Sequence, residues 1–276
     1  MNEWPLIIFT LLVQASVGVM LLLAGIETLA KRGRTASVLS FPALAGAFIL
    51  AVAGLCASIF HLGYPLNALH ALRHIESSWL SREILLASCY CALLALCALL
   101  MYVKRAVALP LLWVTVLFGL ADIFCMGAIY VHSSVITWMH PNTWVMFYGA
   151  TVMLGVAGLI CLLSYASAGQ ARGRLWFILA GIVTLALLAR LMVQPSWCDW
   201  LNMGASWATF PLRPLEAFRE TATLRLTGWI ALLLAAILMQ VGTLFIPYKR
   251  RIALAAAVCL VCGEALLRYA FFSIGS

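Results

Sequence analysis

Charge is the scarcest property of this sequence. Only 9% of its 276 residues are Asp, Glu, Lys or Arg, while 65% are hydrophobic; soluble domains carry about a quarter charged residues. A water-soluble fold cannot hide that much apolar surface, and a disordered chain is poor in hydrophobics and rich in charge. Both classes are excluded, and with a mean hydropathy of +1.07 the chain reads as an all-α polytopic membrane protein. The formal net charge of +8 does not indicate nucleic acid. The basic residues sit in short gaps between long apolar runs, where topology signals lie, and no basic tract with interleaved aromatics occurs.

What is abundant is apolar runs of spanning length, about 20 residues each. Eight are predicted, at about 5–29, 38–60, 83–103, 108–131, 143–166, 175–193, 224–246 and 252–272, forming one integral-membrane domain over 1–276. The first is too long for a signal h-region, and Met1-Asn2-Glu3-Trp4 before it lacks Lys and Arg, so it is expected to be a retained helix. The gaps after runs 1, 3, 5 and 7 hold Lys31, Arg32, Arg34, Lys104, Arg105, Arg172, Arg174, Lys249, Arg250 and Arg251; the opposite gaps hold Arg73, Arg82, Arg213 and Arg219. The positive-inside rule then places both termini in the periplasm of a bacterial inner membrane. On that face lie the long connections and all five histidines (His61, His70, His74, His132, His140). Eight of the ten tryptophans share it: Trp4, Trp79, Trp138, Trp144, Trp197, Trp200, Trp207 and Trp229. Interfacial tryptophans normally occupy both faces, so the periplasmic face is expected to be the working one. Internal repeats are weak, and no inverted pair of broken spans of the transporter kind is evident.

The stretch from Phe60 to Glu83 carries the most chemistry. His61-Leu62-Gly63-Tyr64-Pro65 ends helix 2, and Leu80-Ser81-Arg82-Glu83 opens helix 3, with Ser81 as the expected N-cap and Glu83 in the first turn. By residue type, His61 and Glu83 are either an interfacial His and a dipole-matched Glu or a pair able to accept protons at membrane depth. Intramembrane charges default to functional hypotheses. Glu264 and Arg268 are spaced i, i+4 and are expected to pair, either to orient helix 8 or to line a site. Asp122, near the middle of helix 4, is read as a structural group partnered across helices or as part of a proton path. Glu27 and Arg190 lie near run ends, where snorkelling suffices. Of nine cysteines, eight fall inside spans and read as buried packing thiols. Cys198 alone faces the periplasm, so no disulfide within that face and no metal or iron–sulfur site in this protein is expected. The histidines lie at one face and not stacked across the membrane, so no haem is expected either, although His61 and His132 lie at the ends of helices 2 and 4.

HLGYP followed by LSRE resembles the HLGSP and LSNE signatures of the membrane-anchor subunit family of anaerobic dimethyl sulfoxide reductases. Glu3-Trp4-Pro5 is similar to that family's N-terminal EWP. Gly263-Glu264-Ala265-Leu266-Leu267-Arg268 is similar to its last-helix GE…GR pattern, and Tyr130 through Trp144 to its Y…P-x-W stretch. The resemblance implies an anchor that binds and oxidises menaquinol near the periplasmic face. Its electrons would pass to an iron–sulfur subunit and on to a molybdopterin subunit that reduces S- or N-oxides. It makes His61 and Glu83 the catalytic pair, with Gly63, Tyr64, Pro65, Ser81, Arg82, Glu264 and Arg268 as binding or supporting residues. Tyr64 and Arg82 depart from the family's small residue and Asn, and Leu267 from its second glycine; Arg82 is placed to interact with Glu83 if the two approach. The competing readings are a solute or ion transporter built on Asp122, Glu264 and Arg268, and an anchor of a polysulfide- or nitrite-reductase complex.

Overall fold

A computed structural model describes residues 4–60, 72–165, 172–204, 211, 213–244 and 249–275. Eight helices in it have the length and apolarity to cross a membrane: α1 (Trp4–Lys31), α2 (Phe41–Ile59), α3 (Trp79–Lys104), α4 (Leu109–Val131), α5 (Asn142–Tyr165), α6 (Arg172–Gly204), α7 (Ala222–Leu244) and α8 (Lys249–Gly275). A 3-10 turn at Leu72–His74 and a short helix at Pro214–Glu220 lie in the connections. Local chemistry sets several ends. Prolines in the first turn of α2 and α4 sit where no intrahelical N–H is needed, and Gly33 takes φ +68° where the backbone leaves α1.

Large apolar side chains cover the outside of the bundle: Phe177 is 67% exposed, Leu185 68% and Met192 80%. Water would not tolerate such a surface, whereas hydrocarbon does, and every backbone group inside a spanning helix is satisfied within it. Contacts between helices divide the bundle into two closed rings of four, α1–α2–α3–α4 and α5–α6–α7–α8, each helix touching the next and the last returning to the first. The two rings repeat the same sequential order, a relationship the sequence barely betrays. They join along α1 and α5, where Gly18 and Gly155 cross backbone to backbone; a Cβ on Gly18 would stand 1.9 Å from the Thr151 carbonyl oxygen. With eight spans both termini emerge at one end of the bundle, and Trp4 and Tyr269 touch there with ring centroids 5.4 Å apart.

Two boundaries differ from expectation. α3 begins at Trp79, with Ser78 and not Ser81 at its N-cap, accepting from the Ser81 backbone N–H at 3.4 Å. Glu83 therefore lies in the second turn, on the helix face that also buries Ala87, Tyr90, Leu94 and Cys97. α6 runs through Pro195 to Gly204, well beyond the expected end at 193. Polar Gln194 and Asp199 end the membrane-like composition but not the helix, because Trp197 and Leu201, four residues apart, pack with Ile274 against the short helix.

Candidate functional site

Glu83 is 6% exposed, and its carboxylate has no hydrogen bond or ion pair among the described residues. Arg82 does not pair with it, contrary to the interaction its position allows. Its guanidinium donates to the Ile75 and Glu76 carbonyls at 2.8 and 2.7 Å and lies 4.3 Å over the Trp79 ring, so it holds the loop before α3. Ser81 is buried. His61, Gly63, Tyr64, Pro65 and His70 lie outside the described residues.

The face of α3 that carries Glu83 meets α4. Cys97 Sγ and Thr115 Oγ1 are 3.4 Å apart, the Tyr90 ring lies against Gly119, and the Tyr90 and Ser16 hydroxyls are 2.7 Å apart. One turn beyond Gly119 comes Asp122, wholly buried, with both carboxylate oxygens lacking a hydrogen-bond partner. Glu83 lies within electrostatic reach of it. The structural reading of Asp122, which needed a polar partner on a neighbouring helix, thus finds none among the described residues.

The second ring holds another charged group, and it overturns two expectations. Glu264 does not pair with Arg268; it forms a bidentate ion pair with Arg190 across α6 and α8. Arg190 does not snorkel but is 1% exposed, passing over Gly149, whose missing side chain leaves room for its methylenes, with Trp229 5.3 Å away. Arg268 instead donates to Gln14 Oε1 on α1 at 2.6 Å and lies 3.8 Å over the Phe147 ring. Both arginines point into the bundle because the surrounding helices supply acceptors and aromatic faces that lipid cannot. The structure therefore separates the residues grouped by resemblance: Glu83 belongs to the first ring, Glu264 to the second, and Arg268 to their junction. Gln14, absent from the candidate set, was legible only as one of a few polar residues in the first apolar run.

Four tryptophans at the terminal end explain much of the aromatic asymmetry. Trp138, Trp144, Trp197 and Trp200 donate their indole N–H groups to the carbonyls of Phe271, Phe124, Thr137 and Ile136, at 2.9 to 3.2 Å. They pin the long connections to the helix ends, a structural duty. His132 stacks on Trp79 at 5.2 Å; His140 accepts from the Asn142 N–H at 3.1 Å, and burial holds its imidazole below the usual range. The thiols are less buried than expected. Cys97 and Cys125 are enclosed, but Cys56, Cys161 and Cys262 lie on the outer surface, where hydrocarbon serves a small apolar group as well as a core does. Among the described residues no three His, Cys, Asp or Glu side chains gather as a metal ion would require.

Comparison with known proteins accords with this architecture. The model of the family described as DMSO reductase anchor subunit (DmsC) matches residues 1–272. The sequence is 28% identical to the C subunit of anaerobic dimethyl sulfoxide reductase from Escherichia coli (strain K12), over 99% of its own length and 95% of that relative. It is 32% identical to the anaerobic dimethyl sulfoxide reductase protein YnfH of the same organism, over 56% of its length and 55% of the relative. To the corresponding C subunit of Haemophilus influenzae it is 33% identical, over 55% of each. In these last two the matched stretch thus spans about half the relative's length. No solved structure matches significantly. A match to the family model from the first residue to within four of the last, on a bundle of eight spanning helices, shows that this multi-pass inner-membrane protein belongs to the DMSO reductase anchor subunit family.

Proposed function

We propose that this protein is the quinol-oxidising anchor of a dimethyl sulfoxide reductase-type complex, taking menaquinol at the terminal end of its first ring. The observation that carries the reading is Glu83: a buried carboxylate near the membrane surface that no cation among the described residues neutralises, beside an arginine committed elsewhere. A general base needs a free acceptor oxygen within reach of its proton. Family membership and the carboxylate together favour quinol chemistry over transport.

In this reading His61 and Glu83 each take one of the two quinol protons while two electrons pass to an iron–sulfur partner subunit, and a molybdopterin subunit then reduces an S- or N-oxide. Ser81 borders the site and Arg82 fixes its rim through Trp79, while the motif resemblance makes Gly63, Tyr64 and Pro65 binding or supporting residues. Arg190 and Glu264 hold the second ring together, and Arg268 ties it to the first. The excess of Lys and Arg at the opposite end supports a periplasmic terminal end, and in this reading the partners dock there.

Mild-detergent purification of the tagged protein from anaerobically grown cells is expected to recover a cysteine-rich ferredoxin-like subunit and a molybdopterin subunit; recovery of the anchor alone, from a preparation that keeps other complexes intact, overturns this reading in favour of transport. In the assembled complex Glu83→Gln lowers quinol-dependent turnover by about 100-fold or more, leaving reduction by an artificial donor to the soluble subunits intact. Protons and electrons leaving on one face move no net charge. A potential-sensitive dye in liposomes containing the complex therefore shows no quinol-dependent charging, and a signal would contradict same-face release.

A further inference from the structure

Asp122, like Glu83, stands apart from the other buried charges. Arg190 and Glu264 have each other, Arg268 has Gln14 and Phe147, but both Asp122 oxygens are buried without a donor. Among the described residues, the titratable groups within electrostatic reach of it are Glu83, Tyr90 and Cys91 from α3 and Cys125 from its own helix. The polar groups that α1 buries are the neutral Thr10, Gln14 and Ser16, and the Tyr148 hydroxyl of α5 is committed to the Leu120 carbonyl at 3.0 Å. None is cationic. An ionised carboxylate so placed is strongly disfavoured, and a second ionised carboxylate within electrostatic reach adds to that cost. Such pairs hold one proton between them, as in the aspartic-protease dyad.

The Tyr90 ring lies against Gly119, so one turn further along both helices Ala87 comes level with Asp122, and Glu83 follows one turn beyond on the same buried face of α3. Between Glu83 and Tyr90 on the buried face of α3 stands Ala87, which offers nothing beyond Cβ.

We propose that Asp122 is the second carboxyl group of the proton-accepting site, sharing a single proton with Glu83 so that one of the two remains ionised and able to take the quinol's proton. This rests on the quinol reading of Glu83. At rest the pair carries one proton and one negative charge. When the quinol's two O–H bonds break, one proton forms an O–H bond on Glu83 and the other goes to His61, its two electrons leave to the iron–sulfur partner, and the carboxyl pair becomes neutral. Release of one proton from Glu83 to the terminal-end solution restores the charge. Asp122 is a positioning residue: its retained proton stabilises the Glu83 anion, which burial alone would disfavour.

The test is the pH profile of quinol-dependent turnover by the membrane-bound complex, with a reduced water-soluble naphthoquinol as donor. Asp122→Val, of similar volume, is expected to lower turnover at neutral pH about tenfold, with recovery in alkaline solution as the acid limb moves up by about one pH unit. Asp122→Glu, which keeps the shared proton, is expected to stay within about threefold of the parent. A parent-like profile in Asp122→Val overturns the proposal. So does a loss that alkaline pH does not recover and Asp122→Glu does not rescue, which marks a merely structural role. Glu83→Gln in the same assay separates the two ideas: full activity in it sinks the quinol reading itself, whereas an inactive Glu83→Gln beside a parent-like Asp122→Val sinks only the pairing.

Discussion

Replacing Gly18 with leucine prevents the two rings from assembling. Its Cβ would stand 1.9 Å from the Thr151 carbonyl oxygen and 2.7 Å from the Gly155 Cα, and a Cβ on Gly155 would stand 2.4 Å from the Gly18 carbonyl carbon. These are backbone atoms, which no rotamer change can move aside. Helices in a membrane associate largely through such close approaches between small residues, because lipid is as apolar as the side chains it replaces. Even Gly18→Ala forces α1 and α5 apart and costs about 3 kcal/mol, at the upper end of ordinary overpacking; Gly18→Leu leaves no folded protein to measure. Gly25, on the same helix, is the control. Nothing lies within 4 Å of its Cβ position, so Gly25→Ala should stabilise by up to about 1 kcal/mol through helix propensity. Thermal unfolding in detergent, read by size-exclusion recovery, checks all three. Equal tolerance at positions 18 and 25 would mean that the rings do not meet as described.

The second large effect concerns the Arg190–Glu264 pair. Glu264→Ala strands a guanidinium that is 1% exposed, and breaking a buried pair from one side costs about 3–5 kcal/mol. Removing both partners removes the uncompensated charge. Arg190→Met with Glu264→Leu is therefore expected to regain most of the stability lost in either single variant, the signature of strong coupling between residues in contact. If the pair serves only to join α6 to α8, the double variant also turns over quinol at the parent rate in the assembled complex. Additive losses in stability would show that the two charges act independently.

Burial, not sequence spacing, governs which charges meet. Glu264 and Arg268 satisfy the i, i+4 rule, yet the guanidinium nearest Glu264 comes from α6. A neighbouring helix offered a bidentate partner, and Gln14 was free to receive Arg268. Arg82, adjacent to Glu83 in sequence, turns to carbonyls seven and six residues back because a helix sends successive side chains in different directions. The same logic lengthened α6: composition marks where lipid ends, while the helix continued because Trp197 and Leu201 found a surface the sequence does not display.

The linear sequence determined by itself the class, the number of spans and the family. These rest on local quantities, namely apolar length, the placement of Lys and Arg, and short motifs such as HLGYP, LSRE and the GE…R of the last helix. It also marked Glu83 as a candidate base through its motif. Only the tertiary structure decided that the eight helices close into two rings joined at Gly18 and Gly155, that Arg190 belongs to Glu264, and that Asp122 is buried within electrostatic reach of Glu83. Each of these depends on register between helices distant in sequence. That register is set by steric fit at a few small residues and by where a buried charge finds its partner, and neither is written in any single span.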